Sequence, residues 1–388
     1  MKHFDAIVVG TGGIGSAALF HLASRGARVL GLDRFPVAHD RGSSHGHTRL
    51  IRLAYFEHPH YVPLLVRAYQ LWRELELTVD RSLLVETGLL MAGPATGDVL
   101  SGAMRSAALH SLPLEPLWPS EVVTRWPGLQ LPEAWGAVYE ACGGYLLVEE
   151  CVRSHALAAE RAGATFEHGV SVRGWNSPKD GRSVIVTTDR NTYAADQLIL
   201  APGAWASDLL QLPDVSLQVL RKSLFWYEPQ PAWHTAYDAG HFPCFAFDAP
   251  NGFFYGFPRI DARGVKIAEH TGGRPLDDPL EIDRGIDAAE QDRVARVLTE
   301  HLPGISGHCT AHDACLYTMS VDRHFVVGRH PDHARVCCAV GFSGHGFKFA
   351  SVIGEILADL ATVGHTDMPI DLFSPGRFSP SWNALPSE

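Results

Sequence analysis

Gly10, Gly12 and Gly15 form a G-x-G-x-x-G pattern inside DAIVVGTGGIGSAALFHLASRGARVLGLDR, between an apolar run that reads as a strand and a segment that reads as a helix. The first glycine permits a tight turn, the second removes a side chain where a pyrophosphate must approach, and the third lets the helix lie close against the sheet. The helix then aims its positive end at the phosphate. Asp33 closes the second apolar run, where its carboxylate can accept hydrogen bonds from the ribose hydroxyls of an adenosine. Glycines that serve only a close turn are the plain alternative, and the strand, helix and acid in order weigh against it. The chemistry predicted is the binding of an adenine dinucleotide, with Gly13, Ile14 and Arg34 beside the same turn and strand end; the pattern does not separate NAD from FAD.

A second group of residues is basic. Arg49 and Arg52 lie three apart, so a helical segment would put them on one face. Two solvated arginines are the usual fate of such a pair. Here the surrounding segment is mostly uncharged and Arg52 stands between Ile51 and Leu53, while Lys348 stands between Phe347 and Phe349. Lys266, in RGVKIAEHTGG, reads by residue type as a strand-surface lysine, and Cys315, between Ala314 and Leu316, as a small buried hydrophobe.

These residues need elements to hold them, and strand, glycine turn and helix recur three times. The first unit is residues 4 to 33; the second is QLILAPGAWASDL, with Ala201, Gly203 and Trp205 at its turn; the third runs from VCCAV through GFSGHG, carrying Gly344 and Gly346, into a helix with Phe349, Val352, Ile353, Ile356, Leu357 and Leu360 at helical spacing. Residues 60 to 77 add a helix with Tyr61, Leu64, Leu65, Ala68, Leu71, Trp72 and Leu75 on one face. Residues 85 to 142 and 216 to 314 alternate like strands and are rich in proline and aromatics. The division expected is a discontinuous nucleotide domain, 1–84, 143–215 and 316–388, interrupted by a substrate domain, 85–142 and 216–315, with the ligand between them.

A length of 388 residues with 46% hydrophobic content leaves room for two or three domains. The net charge of −11 gives no basic field for nucleic acid, so cations gathered at one site would be a local exception. Seven cysteines without C-x-x-C spacing argue against a disulfide framework and against a metal, and fit a reducing cytoplasm. No signal peptide or membrane-spanning run is expected, and Pro386, Ser387 and Glu388 are not a peroxisomal address.

GSSHGHTRLIRLAY, PNGFFYGFP, ACLYT and GFSGHGFKF, taken together and in this order, resemble monomeric sarcosine oxidase and its relative N-methyltryptophan oxidase over nearly the whole chain. The resemblance implies FAD, an α/β fold of the glutathione-reductase and D-amino acid oxidase type, and a second α+β substrate domain on a mixed or antiparallel sheet. It implies that Cys315 carries the flavin covalently, that Arg49 stands near the flavin ring, and that Arg52 and Lys348 hold a substrate carboxylate. Lys266 would assist oxygen reduction, where a fixed positive charge stabilises the anion forming on oxygen. Tyr255, His270, Tyr317 and His345 would surround the substrate, with proton transfer secondary to positioning. Ser43, Ser44, His45, Thr48 and Val172 complete the expected cofactor contacts, and Arg49 and Lys348 count among them.

The activity implied is oxidation of an N-methyl or other secondary amino acid to an imine, which water hydrolyses, with oxygen reduced to hydrogen peroxide. The amine must react as its neutral form, so the rate should rise with pH. A monomer without nucleic-acid or membrane partners is the expectation. Alternatives are a dehydrogenase or flavin-binding subunit passing electrons to a carrier, or an oxidase of pipecolate or fructosyl amino acids. Ala246 in place of a bulkier residue hints at space beyond sarcosine, and His47 departs from an acidic residue of the family.

Overall fold

Runs such as AIVV, VLGLD and VCCAV are apolar on both faces, as strands in a parallel sheet covered on both sides must be. The computed structural model, which describes residues 1–178 and 183–379, places them there. Strand Lys2–Val9 runs parallel to Val29–Asp33 on one side and to Thr192–Leu200 on the other; Thr165–His168 and His333–Val340 extend the parallel order outward. Antiparallel strands at Val172–Asn176, Val184–Thr188 and Val326–His330 complete eight. Helix Gly13–Ser24 packs between helices Val148–Arg161 and Ala350–Thr362. Its contact with the last is close because Gly354 has no side chain; a Cβ there would come within 2.5 Å of Ala17 Cβ.

A nine-stranded sheet stands beside the first. Its strands are mostly antiparallel, with one parallel pair, Leu89–Pro94 with Cys244–Ala249. Its longest pairing joins Leu217–Pro229 to Ile305–Ser320. That second strand runs without a break through residues 315 and 316, so the change of sheet falls beyond Ser320, later than the expected boundary. The helix expected over 60 to 77 spans Tyr61–Val79, with its expected face buried.

The condition for a shared helix face at Arg49 and Arg52 is not met. Thr48–Ile51 is a strand, paired antiparallel with Gly144–Leu147 in a small three-stranded sheet, so Arg49 and Arg52 share no helix face. The partner strand lies far off in sequence, and tertiary pairing outweighs local spacing. Among the described residues no helix is long and apolar enough to cross a membrane, and no cluster of histidine, cysteine and carboxylate could hold a metal. Pro386, Ser387 and Glu388 lie outside the described residues.

Candidate active site

The carboxyl ends of the parallel strands open onto one long cavity of about 1780 Å³, its mouth included. Gly10, Ala201 and Gly341 line its floor at three strand ends. Asp33, Arg34 and Trp205 mark one extremity, and Arg49, Arg52, Tyr255, His270, Tyr317, His345 and Lys348 crowd the other.

At the first extremity the backbone makes room. Gly10 has φ +87°, and a Cβ on it would strike the Ala201 carbonyl oxygen at 2.3 Å. A Cβ on Gly12 would meet only Ser44 Oγ, at 3.8 Å, so the space before it is open. Gly15 does not line the cavity; a Cβ there would overlap the Gly10 carbonyl, so it serves the helix packing expected of it. Asp33 accepts from the Thr11 backbone N–H at 2.6 Å and from that of Phe35 at 2.9 Å, which fixes the carboxylate at the cavity edge. Arg34 stacks over Trp205, and Ser44 Oγ accepts from the Gly13 N–H at 3.2 Å. Ile14, Ser43, Val172, Gly203, Gly344 and Gly346 also line the cavity.

At the other extremity, buried cations face one another with few anions between them. Arg49 donates to the carbonyls of Thr48 and Ser43, both at 2.9 Å. Arg52 pairs through Nη2 with Glu57 at 2.7 Å, lies over the rings of Tyr55 and Phe56, and buries an Nε with no partner among the described residues. Lys348, 4% exposed, donates to the His345 carbonyl at 2.8 Å and to Tyr55 Oη at 3.4 Å. Burial, reinforced by the charge of Arg52, holds its ammonium well below the ordinary lysine pKa.

The expected histidines differ in what they can do. His345 uses both ring nitrogens, Nδ1 with Tyr55 Oη at 2.7 Å and Nε2 with the Arg323 carbonyl at 3.2 Å. Nε2 must therefore donate and Nδ1 accept, which leaves no free site for a proton; its expected catalytic role reduces to shaping the wall. His270 meets Tyr317 Oη through Nδ1 at 3.3 Å, and burial, with His345 and Lys222 adding, pushes its pKa down to about 3. Both histidines stand neutral.

Four expected contacts lie behind the wall. Lys266 turns its ammonium onto the carbonyls of Gly46 and Thr48, at 2.6 and 2.9 Å, and onto Thr48 Oγ1 at 3.1 Å, between the rings of Trp226 and Phe257. Thr48 is thereby committed to Lys266, and His45 to Asp313 at 3.1 Å. Cys315 shares a strand face with Tyr317, but its short side chain stops beneath the cavity surface. Ala246 is buried opposite Tyr255 and does not line the cavity, so its small size adds no space there.

The family model for FAD dependent oxidoreductases, designated DAO, matches residues 5–360. The chain belongs to this family. This oxidoreductase is 38% identical to a monomeric sarcosine oxidase from a Bacillus species, over 97% of its own length and 96% of the relative's. A monomeric sarcosine oxidase of Streptomyces avermitilis is 40% identical, with 97% and 98% covered, and an N-methyl-L-tryptophan oxidase of Yersinia pestis 34%, with 97% and 99% covered. The likeness read from the four motifs is borne out. Among solved structures, the open form of NikD, an unusual amino acid oxidase, superposes with a TM-score of 0.84 at 27% identity over 97% of this chain and 98% of its own. Glycine oxidase from Geobacillus kaustophilus shares the fold, with a TM-score of 0.78 at 22% identity over 97% and 99%.

FAD is the cofactor of this family, and the cavity fits it: open space before Gly12, a fixed carboxylate at the ribose end, and unsatisfied positive charge at the far end. Sequence reasoning missed Phe35 and His39 at the adenosine end and Glu57, Phe253 and Phe347 at the cationic end. Phe35 and His39 come soon after Asp33, and that proximity was the signal available. Glu57 carries no local mark in the sequence, and its pairing with Arg52 is a tertiary fact.

Proposed function

We propose that this oxidoreductase oxidises the C–N bond of a small N-methyl or other secondary amino acid, with oxygen as the final acceptor and hydrogen peroxide as product. The observation that carries the reading is the set of buried cations, Arg49, Arg52 and Lys348, at the end of a dinucleotide cavity in a chain whose net charge is −11. Such charges bind an acid and repel a protonated amine.

When bound, FAD would supply the two-electron acceptor for the amine, with oxygen as the final oxidant. The protein's part follows from its side chains. Arg52, through its unpartnered Nε, and Lys348 grip the carboxylate of the substrate, which anchors one end. Tyr255, Tyr317 and the neutral His270 form the facing wall and exclude water from the reacting carbon. The surrounding positive charge lowers the proton affinity of the amine, so that its lone pair is free to become the imine bond. Lys266, held by three oxygens behind Arg49, places a cation where negative charge builds on oxygen. Cys315, 1% exposed beneath Tyr317, supplies a sulfur for a covalent link to the flavin. A single chain suffices for this reading, and the curated sarcosine oxidases are themselves named monomeric.

Peroxide release from sarcosine, N-methyltryptophan, pipecolate, proline and fructosyl amino acids tests the reading. Release with at least one secondary amino acid is expected. Dye reduction without peroxide would replace the oxidase by a dehydrogenase, and neither signal with any of them would overturn it.

A further inference from the structure

Behind the wall made by Tyr317 and His270 the fold buries one more ammonium, to which the proposed reaction gives no part. Lys222, 4% exposed, stands in strand Leu217–Pro229 directly opposite Cys315. Opposite residues of an antiparallel pair point to the same face, so its stem rises beside that of Cys315. Its Nζ donates to the carbonyls of Thr271, at 2.5 Å, and Gly272, at 3.2 Å, the two residues after His270, and lies 5.5 Å from the centre of the Tyr317 ring. A Cβ on Gly273 would come within 3.0 Å of Lys222 Cδ, so the turn closes directly on the lysine stem. One ammonium thus braces both partners of the His270–Tyr317 hydrogen bond that lines the cavity.

Among the described residues no carboxylate is bonded to it. The charged and titratable groups around it are Glu269 at the end of its neighbouring strand, Glu290 and Arg293 from helix Ala288–His301, Cys315 and Tyr317 from the paired strand, and His270. Glu269 bonds Arg293 at 2.8 Å and Glu290 bonds Arg221 at 2.8 Å, so both acids are spent elsewhere. Burial pulls the lysine pKa down to about 8, with Glu269, Cys315 and Glu290 opposing the fall. A buried, unpaired ammonium is costly, and backbone carbonyls would be served equally by a neutral amide. The positive charge therefore calls for a use inside the cavity.

We propose that Lys222 is a positioning residue for the oxidation step: it fixes His270 and Tyr317 against the substrate, and its charge weakens the hold of the bound amine on its proton. The inference rests on the amino acid oxidase reading and adds to it a residue outside the cavity lining.

The test is anaerobic flavin bleaching by a secondary amino acid, followed against pH, in wild type and in Lys222→Met, Lys222→Gln and Lys222→Arg. The alkaline rise of the bleaching rate is expected to move up by about 0.5 to 1 pH unit in Lys222→Met. Lys222→Gln, which can still donate to the Thr271 carbonyl, is expected to shift likewise, and Lys222→Arg to keep the wild-type midpoint. Uniform loss of rate with an unmoved midpoint in both neutral variants would overturn the proposal while leaving the oxidase reading intact. Failure of wild type to bleach with any such substrate would remove both.

Discussion

Lys348 has to carry its charge where burial and Arg52 oppose it. An arriving carboxylate reverses that balance by adding a negative charge beside the ammonium, which raises the lysine pKa. Binding of an acid is therefore expected to take up a proton, and affinity to weaken as pH rises past the pKa of the empty site. Calorimetry of acetate binding in buffers of different ionisation heat should show fractional proton uptake, and Lys348→Met should abolish it; uptake unchanged in that variant would place the proton elsewhere. The sulfur of Cys315 makes a simpler prediction. Acid precipitation should leave a yellow pellet from wild type and a colourless one from Cys315→Ala; a yellow supernatant from wild type would mean no covalent bond.

Between Arg52 and helix Tyr61–Val79 the chain forms a turn that an acid from another sheet holds in place. Both carboxylate oxygens of Glu140, at the end of strand Trp135–Glu140, accept backbone N–H bonds, from Leu53 at 2.5 Å and Ala54 at 2.9 Å. Ser106 Oγ then donates to the Tyr55 carbonyl at 2.5 Å. The anchored turn thus sets the direction in which Arg52 points. Glu140→Gln puts an amide donor against one of those N–H groups and should raise KM for an acid substrate by about tenfold, the worth of about one hydrogen bond, with kcat changed far less. Equal loss in both would assign Glu140 to the chemistry instead. None of this was legible in the sequence, where Glu140 is one acid among 43 acidic residues. The glycine turn, the two later strand–turn–helix units and the Tyr61–Val79 helix were legible because each is written in local spacing. The strand at Thr48–Ile51 was not, because its reason for being a strand is Gly144–Leu147, and the saturation of His345 was not, because Tyr55 and Arg323 come from other segments.

Across the whole molecule, polar groups without partners gather behind the site as well as in it. His21, partly buried, and His155, fully buried, stand on adjacent helices, each with a buried ring nitrogen that has no partner among the described residues. Burial depresses both, His21 to about 4. Because the folded pKa lies below the unfolded value of about 6.5, the unfolded chain binds more protons between the two. Stability should then fall as pH drops below about 6.5. Thermal unfolding across that range is expected to be flatter in His155→Leu than in wild type; parallel slopes would show that the buried imidazole does not contribute.

The buried cations Arg49, Arg52 and Lys348 are the centre of the functional account, which ties catalysis to the acid group of the substrate. Anaerobic flavin bleaching by an N-methyl amino acid and by its uncharged amide compares the two directly. The account predicts rapid bleaching with the acid and a loss of roughly a hundredfold in efficiency with the amide, about two charge-assisted contacts' worth. Equal efficiency with both, or no bleaching by the acid, would contradict it.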